Sequence, residues 1–338
     1  MRAYAISDSF GIDNLRLVER DSPRPGKGEV VMQMRACSLN YRDLRMVRGE
    51  YNPKQPLPLV PLSDGAGEIV AIGEGVTRVE VGDRVTTLFS PHRQGGRPTR
   101  ATISKNLGGP LDGALQERLL LPETGVVPMP AHLTFEEAAT LPCAGVTAWN
   151  ALATQGDLTK GDTVLTIGTG GVSIFAIQIA KLLGMRVIAT SRSAAKLERV
   201  KALGADFTID TSATPDWSKE VRKLVGNDGV DQVIEVGGVG TLEQSIRSVR
   251  PGGQISLIGV LAGVEKPLNL TPVLMQNIRI QGVFVGDATV SADFARAVEQ
   301  ARLRPVVDRV FPVDAIHDAL RFMESGEHFG KVALTLWQ

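Results

Sequence analysis

A glycine-rich turn near the middle of the chain has the spacing of a phosphate-binding motif. Residues 163–167 (TVLTI) read as a β-branched strand, and residues 168–173 (GTGGVS) follow it directly and open a helix. The first glycine allows the tight turn, the second lets backbone approach a pyrophosphate, and the helix N-terminus offers N–H donors and a positive dipole. A purely structural turn is the alternative, but the strand–turn–helix context favours a dinucleotide. We therefore predict nucleotide contacts from Gly168, Gly170, Gly171 and Val172.

The residues after the next strand indicate which dinucleotide binds. NAD sites place an Asp or Glu about 20 residues beyond the glycine turn, where it accepts hydrogen bonds from the ribose. Here Ser191 and Arg192 stand at the strand end, Lys196 lies one helical turn further on, and no carboxylate appears before Glu198. These could be ordinary solvated charges, but a basic residue at a helix N-terminus opposes the helix dipole. A hydroxyl, a guanidinium and an ammonium suit a 2′-phosphate, so we predict NADP(H).

The composition excludes several other functions. Lys plus Arg equals Asp plus Glu at 37 each among 338 residues, and this balance argues against nucleic-acid binding and against attraction to anionic membranes. The two cysteines, Cys37 and Cys143, and four scattered histidines give no disulfide framework and no metal-ligand spacing. No targeting segment and no sufficiently apolar run of about 20 residues is visible. We expect a cytoplasmic protein.

The order of elements changes along the chain. Residues 1–124 contain short β-rich runs, at 29–35, 67–72 and 84–88, separated by Gly and Pro turns, and a polar loop is predicted at 92–113. From about residue 160, apolar strands alternate with amphipathic helices, which predicts a doubly wound parallel sheet. The strands are expected at 163–167, 186–190, 207–209, 230–236, 254–258 and within 278–285, and the helices at 171–183, 194–203, 217–225 and 241–249.

The fold class is therefore α/β: a parallel-sheet cofactor domain and a mainly β catalytic domain. We place the catalytic domain at 1–124 and the cofactor domain at 125–286. Residues 287–338, with one or two helices and a closing strand at 332–336, return to the catalytic domain.

Several segments resemble one enzyme family. The chain is similar over nearly its whole length to the medium-chain dehydrogenase/reductase superfamily, and most similar to its zinc-independent quinone oxidoreductases, the zeta-crystallin-like group. The resemblance implies a Rossmann cofactor domain, a GroES-like catalytic domain, and a homodimer joined through the edges of the cofactor-domain sheets. The segments are LNYRD (39–43), PLSDGAGEIVAIGEGV (61–76), VGDRV (81–85), AATLPCAGVTAWNAL (138–152), GTGGVS (168–173) and GKVAL (330–334).

The same resemblance argues against a metal. Zinc alcohol dehydrogenases of the superfamily hold their metal with a Cys of the first motif and the His of a GHE triplet in the second. Those positions are Asn40 and Ser63 here, and the structural-zinc loop has no cysteines. Amides and hydroxyls are poor zinc ligands. We predict no metal, with Cys143 near the third ligand position as the one thiol left.

Without a Lewis acid, the hydride must pass to an acceptor that is already electrophilic, such as a quinone or an α,β-unsaturated carbonyl. The resemblance implies that Asn40, Tyr41 and Tyr51 line the catalytic-domain side of a cleft that faces the nicotinamide. An Asn amide or Tyr hydroxyl there orients or polarises the carbonyl oxygen. Tyr51 could instead be a surface aromatic in a Pro-rich loop, and Asp43 is expected to be a structural ion-pair partner. Cofactor contacts are further implied for Thr147, at the carboxamide, and for Gly237, Gly259, Val285 and Lys331.

Two other functions stay open. An enoyl-thioester reductase of the same fold would use a basic mouth, for which Arg93, Arg97 and Arg100 are available in the long loop. An NADPH-binding protein with a structural or regulatory role and little turnover would carry the same motifs, because cofactor motifs report binding and not rate.

Overall fold

The computed structural model describes residues 1–265 and 267–337. In chain order the strands are β1 (Arg2–Ile6), β2 (Leu15–Glu19), β3 (Glu29–Leu39), β4 (Asp64–Ile72), β5 (Arg84–Thr87), β6 (Arg118–Pro122), β7 (Val126–Pro128), β8 (Thr163–Ile167), β9 (Arg186–Ser191), β10 (Phe207–Asp210), β11 (Val230–Glu235), β12 (Val249–Leu257), β13 (Arg279–Gly282), β14 (Val307–Pro312) and β15 (Lys331–Thr335).

The α-helices are α1 (Tyr41–Val47), α2 (Arg100–Ile103), α3 (Phe135–Ala138), α4 (Val146–Trp149), α5 (Gly171–Leu182), α6 (Ala194–Ala202), α7 (Trp217–Leu224), α8 (Leu242–Ser248), α9 (Thr271–Met275), α10 (Ala288–Ala301) and α11 (Ile316–Ser325). Two π-helical segments flank α4, at Leu141–Gly145 and Asn150–Thr154. Short 3₁₀ turns lie at Ile12–Asn14, Glu123–Gly125, Gly238–Gly240 and Val313–Ala315. Across the described residues, none of these helices is long and apolar enough to span a bilayer.

The chain divides into two compact units. Unit 1 comprises Met1–Val146 and the chain from Gly286 onward, and unit 2 comprises Thr147–Val285. Unit 1 therefore continues beyond residue 124 to Val146 and includes β7, which pairs with β5. The chain re-enters unit 1 at Gly286.

Unit 1 is mainly β, as predicted. Its principal sheet has the order β14-β15-β3-β4-β5-β7, with β6 also paired to β3, while β1 and β2 form a separate antiparallel pair. Apolar side chains of the long strand β3 enter a core that also takes apolar residues of β6 and β15; those of β3 are Val30, Met32, Met34, Cys37 and Leu39. The strand pairing places β3 between β15 and β4, and the carboxyl end of β3 leads into α1.

Unit 2 is a parallel sheet of six strands in the order β10-β9-β8-β11-β12-β13. This is the Rossmann strand order, and it confirms the predicted α/β class. Strand β8 is buried along its whole length, as a β-branched central strand should be. The strand order reverses between β8 and β11, and ligands of such sheets bind beyond the carboxyl ends of the strands at that point.

Three local features differ from the sequence prediction. Strand β12 begins at Val249, before the predicted start at residue 254, so Pro251-Gly252-Gly253 lies within it, and a register shift against β11 accommodates this run. The tail contains an additional strand, β14, which runs parallel to β15. The predicted loop at 92–113 includes the short helix α2.

Candidate functional site

A buried polar cluster in unit 1 is built at one end of the principal sheet. Asn40 follows the last residue of β3 and is the N-cap of α1. On one side of β3, Asp64 begins β4 and is paired with Ser38; on the other, Lys331 begins β15, whose next residue is paired with Leu39. The strand order β15-β3-β4 thus brings three residues that are distant in sequence to the same place.

Hydrogen bonds connect the members of this cluster. The Nζ of Lys331 donates to the Leu39 carbonyl and to Asn40 Oδ1, both at 2.6 Å. Asn40 Nδ2 donates to Ser63 Oγ at 3.3 Å, and Ser63 Oγ donates to Asp64 Oδ1 at 2.7 Å. The backbone N–H of Cys143 donates to the other Asp64 oxygen at 3.2 Å. The four side chains of Asn40, Ser63, Asp64 and Lys331 therefore form one connected network.

The network contains a buried pair of opposite charges. Lys331 is 3% exposed and Asp64 is fully buried, and Lys331 Nζ lies 4.0 Å from Asp64 Oδ2. Burial raises the pKa of Asp64, and the nearby ammonium together with hydrogen bonds from Asn40, Ser63 and Cys143 opposes that rise. Burial likewise lowers the pKa of Lys331, against the attraction of Asp64. Each charge compensates part of the desolvation cost of the other.

Asp43 and Arg42 extend the hydrogen-bonded network at Asn40. Asp43 Oδ2 accepts a hydrogen bond from the Asn40 backbone N–H at 2.9 Å, and Arg42 Nη1 contacts Asp43 Oδ1 at 3.0 Å. Burial raises the pKa of Asp43 to about 6, and the Arg42 guanidinium limits the rise. Asp43 is thus an ion-pair partner that closes the first turn of α1.

The two tyrosines predicted to line the site lie on the surface of unit 1. Tyr41 is 42% exposed and Tyr51 is 44% exposed, and within the described residues neither hydroxyl bonds to the polar cluster. Tyr51 is held through its ring: the Arg42 guanidinium lies 5.0 Å from its centroid and 5.0 Å from that of Phe89. The Arg42 guanidinium therefore covers one face of the Tyr51 ring, and the side chain stays 44% exposed overall.

Neither cysteine thiol is activated as a nucleophile. Burial raises the pKa of both the Cys37 and the Cys143 thiols, and the Asp64 carboxylate raises them further. Cys37 Sγ contacts the Ala114 carbonyl at 3.0 Å. Since the thiolate is the reactive form, both side chains serve packing.

The donor set does not fit a catalytic zinc. The two ligand positions of the zinc enzymes hold an amide and a hydroxyl, and an ammonium, which carries no lone pair for a metal, bonds to that amide. In residues 1–265 and 267–337, no group of three or more His, Cys, Asp or Glu side chains could hold a metal ion. These side chains therefore do not form a catalytic zinc site.

The glycine turn of unit 2 has space for a pyrophosphate. A methyl group added at Gly168 or at Gly170 would meet no atom within 4 Å, and Gly168 has φ +74°, which favours glycine. Helix α5 starts at Gly171 with no side chain capping its N-terminus. Its first N–H groups, among them those of Gly171 and Val172, lie beside this open space at the carboxyl end of β8. These features fit the pyrophosphate of a dinucleotide.

The residues predicted to distinguish NADP(H) from NAD(H) lie at the carboxyl end of β9, the strand next to β8. Ser191 is the last residue of β9, Arg192 is exposed, and Lys196 lies in the first turn of α6. Asp210, the last residue of β10, is paired with Ser191 of β9 and places a carboxylate at the same end of the sheet. Its Oδ1 accepts hydrogen bonds from the backbone of Ser212 and Ala213, which places it in a turn of its own.

A buried glutamate that sequence reasoning missed shapes the loop after β11. The Glu235 carboxylate accepts from the N–H groups of Gly237 and Gly238 at 2.7 and 3.1 Å, and from Thr241 Oγ1 at 2.6 Å and Ser245 Oγ. It thereby fixes the predicted cofactor contact Gly237 at the carboxyl end of the strand next to β8. Only the glycines that follow it (EVGGVG) could have signalled this role.

The remaining predicted cofactor contacts are also in defined places. Thr147 is buried at the start of unit 2. Gly259 packs so closely that an added methyl group would lie 2.6 Å from the Val236 carbonyl. The Val285 carbonyl accepts a hydrogen bond of 2.5 Å from Asn150 Nδ2. Lys331 lies inside the polar cluster of unit 1.

Comparisons with known proteins agree with this architecture. Residues 26–131 match the alcohol dehydrogenase GroES-like domain, and residues 171–302 match the zinc-binding dehydrogenase family. A zinc-type alcohol dehydrogenase-like protein of Schizosaccharomyces pombe is 42% identical over 98% of this chain and 99% of its own length.

Two further proteins show the range of activities in such relatives. A solved NAD-dependent alcohol dehydrogenase superposes with a TM-score of 0.92 at 37% identity, covering all of both chains. The acryloyl-coenzyme A reductase of Sulfurisphaera tokodaii is 28% identical over 94% of this chain and 95% of its own length.

Proposed function

The chain belongs to the medium-chain dehydrogenase/reductase superfamily, and from this premise we propose that it is a zinc-independent, NADPH-dependent oxidoreductase that reduces quinones or α,β-unsaturated carbonyls. The observation that carries the proposal is the Asn40–Ser63–Asp64–Lys331 network. Hydrogen-bond donors and a buried ion pair stand there in place of metal ligands. An acceptor that is already electrophilic needs orientation by such groups and no Lewis acid.

The residues of unit 2 would hold the dinucleotide. The open backbone at Gly168 and Gly170 and the uncapped start of α5 suit the pyrophosphate. Ser191, Arg192 and Lys196 suit a 2′-phosphate, because they supply a hydroxyl and two cations at the ribose edge. When bound, the cofactor supplies the hydride. The NAD-dependent relative shares the fold, so the preference for NADPH rests on these three side chains.

The residues of unit 1 would bind the acceptor. Asn40 lies at the end of β3 and is 9% exposed, and Tyr41 and Tyr51 are exposed aromatic side chains of the same unit. The acceptor's oxygen would bind at the amide, and a proton from solvent would complete the two-electron reduction. The protein contributes orientation of the acceptor and a polar contact for its oxygen.

Steady-state oxidation of NADPH tests the activity. The protein would be assayed with 1,4-benzoquinone, with a simple α,β-enone and with a crotonyl thioester, and its zinc content would be measured. We expect turnover with the quinone or the enone and no stoichiometric zinc. Tight NADPH binding without turnover of any acceptor would refute the enzyme and favour a binding role, and one zinc per chain would refute the zinc-independent mechanism.

Two variants test the cofactor. Arg192→Ala and Lys196→Ala should each weaken NADPH binding about tenfold and leave NADH nearly unchanged, because each removes a charge-assisted contact to the 2′-phosphate. Equal loss for both cofactors would refute the phosphate assignment. Exposed Lys27, in a turn of unit 1, provides the control Lys27→Ala.

An enoyl-thioester reductase is the second candidate. Arg97, Arg100 and Lys105 are exposed in the loop around α2, and such charges suit the phosphates of a coenzyme A or phosphopantetheine arm. The relative named as an acryloyl-coenzyme A reductase supports this candidate. A kcat/KM for the crotonyl thioester well above those for the quinone and the enone, lost on removal of Arg97 and Arg100, would favour it.

We also propose a homodimer formed through the edge of the unit 2 sheet. Strand β13 ends the sheet order and pairs only with β12 among the described strands. Exposed apolar side chains lie just before it, with Leu270, Leu274 and Met275 at 60%, 76% and 73%. An unpaired edge beside apolar surface needs covering, and a second copy of the same edge would cover it.

A further inference from the structure

The glycine turn that follows β11 has the backbone of an anion-binding site. Gly237 is right-handed, with φ −84° and ψ −28°, and Gly238 has φ +76°, in the left-handed region. A right-handed residue followed by a left-handed one directs successive N–H groups into one concavity, which suits a phosphate or another anion. Unit 2 therefore has two glycine turns on adjacent strands, one after β8 and one after β11.

The concavity of the second turn already contains a carboxylate of the chain itself. Glu235, the last residue of β11, is fully buried, and its Oε1 accepts from the N–H groups of Gly237 and Gly238 at 2.7 and 3.1 Å. Thr241 Oγ1 donates to the same oxygen at 2.6 Å. The other oxygen, Oε2, accepts from Ser245 Oγ of α8. One carboxylate oxygen thus holds the turn, and the other holds the helix that follows it.

Contacts on two sides hold this turn. A methyl group added at Gly237 would lie 2.3 Å from Thr241 Oγ1, so a larger residue would displace that side chain. The Gly237 carbonyl accepts a hydrogen bond of 2.7 Å from the Ala262 N–H. The peptide groups on either side of Gly237 are therefore bound in opposite directions, one by the carboxylate and the other by the loop after β12.

The turn lies where the topology of the sheet places a ligand. Ile234 of β11 is paired with Thr166 of β8, and each strand ends one residue later. Ligands of such sheets bind beyond these ends, because the strand order reverses between β8 and β11. Helix α5 offers an uncapped N-terminus there, whereas the N–H groups of the second turn bond to Glu235.

We propose that Glu235 is a positioning residue for the dinucleotide. Its carboxylate takes the place of a bound anion in the Gly237–Gly238 turn, keeps that turn in its observed shape, and leaves the pyrophosphate to the N–H groups of the turn after β8. The proposal rests on the proposed function, because it assigns to Glu235 the shape of one side of the cofactor site. The turn is shaped before the cofactor binds, so binding need not order it.

Glu235→Met and Glu235→Gln separate the acceptor from the bulk of the side chain. Methionine fills a similar space without an acceptor, so the turn should lose its shape and the Kd for NADPH should rise about tenfold. Glutamine keeps Oε1 for the turn and directs its amide nitrogen at Ser245, whose hydroxyl can accept, so the Kd should rise less than about threefold. An unchanged Kd in Glu235→Met would overturn the proposal.

Ser245→Ala separates positioning from stability. It removes the donor to Oε2 and leaves the contacts of Oε1 with the turn. The variant should therefore unfold at a lower denaturant concentration than the parent protein and still bind NADPH with the parent Kd. A rise in Kd equal to that of Glu235→Met would make Glu235 a residue that only stabilises the fold, and the positioning role would be wrong. Glu243→Met, at a half-exposed glutamate of α8, is the surface control.

Hydrogen exchange tests the turn without cofactor or turnover. Mass spectrometry of the peptide that spans residues 236–241 should show slow exchange in the parent protein and in Glu235→Gln, and exchange about tenfold faster in Glu235→Met. If this pattern appears in a protein that binds neither NADPH nor NADH, the hold of Glu235 on the turn stands and the proposed function falls. Equal exchange in all three proteins would overturn the role of Glu235, whether or not the enzyme oxidises NADPH.

Discussion

Lys331 Nζ lies 2.6 Å from Asn40 Oδ1, although 291 positions separate the two residues. The contact exists because the closing strand β15 pairs antiparallel with β3, with Val332 opposite Leu39. The chain must therefore complete its last strand before Asn40 has its partner. A site assembled in this way depends on the whole of unit 1 being folded.

The glycine turn allows cofactor binding to be separated from stability. Gly170→Ala adds a methyl group to open space at a backbone position any residue adopts, so stability should change by less than about 1 kcal/mol. The same methyl group would occupy the approach of the pyrophosphate, and the Kd for NADPH should rise about tenfold or more. Fluorescence titration and thermal unfolding measure the two effects.

Gly226→Ala is the matched control for that variant. Gly226 also has open space around it, but its φ is +79°, so alanine there should cost about 1 kcal/mol. Its Kd for NADPH should not change. The assignment of the phosphate site fails if Gly170→Ala binds NADPH as tightly as the parent protein.

Arg42 supports both the buried carboxylate and the aromatic surface of unit 1. Its guanidinium contacts Asp43, donates to the Leu107 and Gly109 carbonyls, and stacks on Tyr51. Arg42→Met would leave Asp43 buried without its cation, and we expect a loss of about 3 kcal/mol in unfolding free energy. Arg45, one turn along α1 and paired loosely with Glu50 at 3.7 Å, provides the control Arg45→Met, which should cost less than about 1 kcal/mol. Equal losses in denaturant unfolding would show that the buried Arg42–Asp43 pair contributes no more to stability than the exposed Arg45–Glu50 pair.

The sequence pattern was sufficient where local periodicity decides the structure. Strand β8 occupies its predicted residues, Thr163–Ile167, and α5 ends one residue before its predicted end. A β-branched run followed by glycines and an apolar helical segment is compatible with few local structures other than a strand, a turn and a helix. The predicted start of the strand at 254 was wrong, because a bulge against β11 allows β12 to pass through Pro251-Gly252-Gly253, residues that usually end a strand.

The site was predictable only in part. The motifs identified Asn40 and Ser63 as positions that lost their metal ligands, and the structure brings these two side chains into contact. The arrival of Lys331 beside Asn40 and Asp64 depends on strand pairing across nearly the whole chain, which periodicity does not report. The four donors around Glu235 similarly come from a loop whose fold the sequence does not state.

The proposed dimer predicts the effect of a charge on the sheet edge. Light scattering on the parent protein should give twice the 36.2 kDa mass of one chain. Leu274→Asp places a carboxylate at a side chain that is 76% exposed in one chain, so it should leave the fold intact and release monomers. Val81→Asp, at an exposed valine of unit 1, should remain dimeric. A dimer unaffected by Leu274→Asp would show that the interface lies elsewhere on the protein. A monomeric parent protein would refute the proposed dimer.

The buried carboxylate of Asp43 predicts how stability depends on pH. Its pKa in the folded protein is about 6 against an ordinary 3.8, chiefly because of burial, with Asp64 adding to the rise and Arg42 and Lys331 opposing it. The folded state therefore binds this proton more tightly than the unfolded chain. The stabilisation is complete below pH 3.8 and is lost as the pH rises through about 6, a difference of about 3 kcal/mol.

Asp43→Asn removes this titration. Whatever constant cost the substitution carries, the variant should lose less stability than the parent protein between pH 4 and pH 6.5, and the two should run parallel above pH 7. Denaturant unfolding of both proteins across that range measures the difference, with Asp8→Asn, at an exposed position, as the control. Parallel curves from pH 4 upward would mean that Asp43 is ionised throughout. Its ion pair with Arg42 would then outweigh its burial.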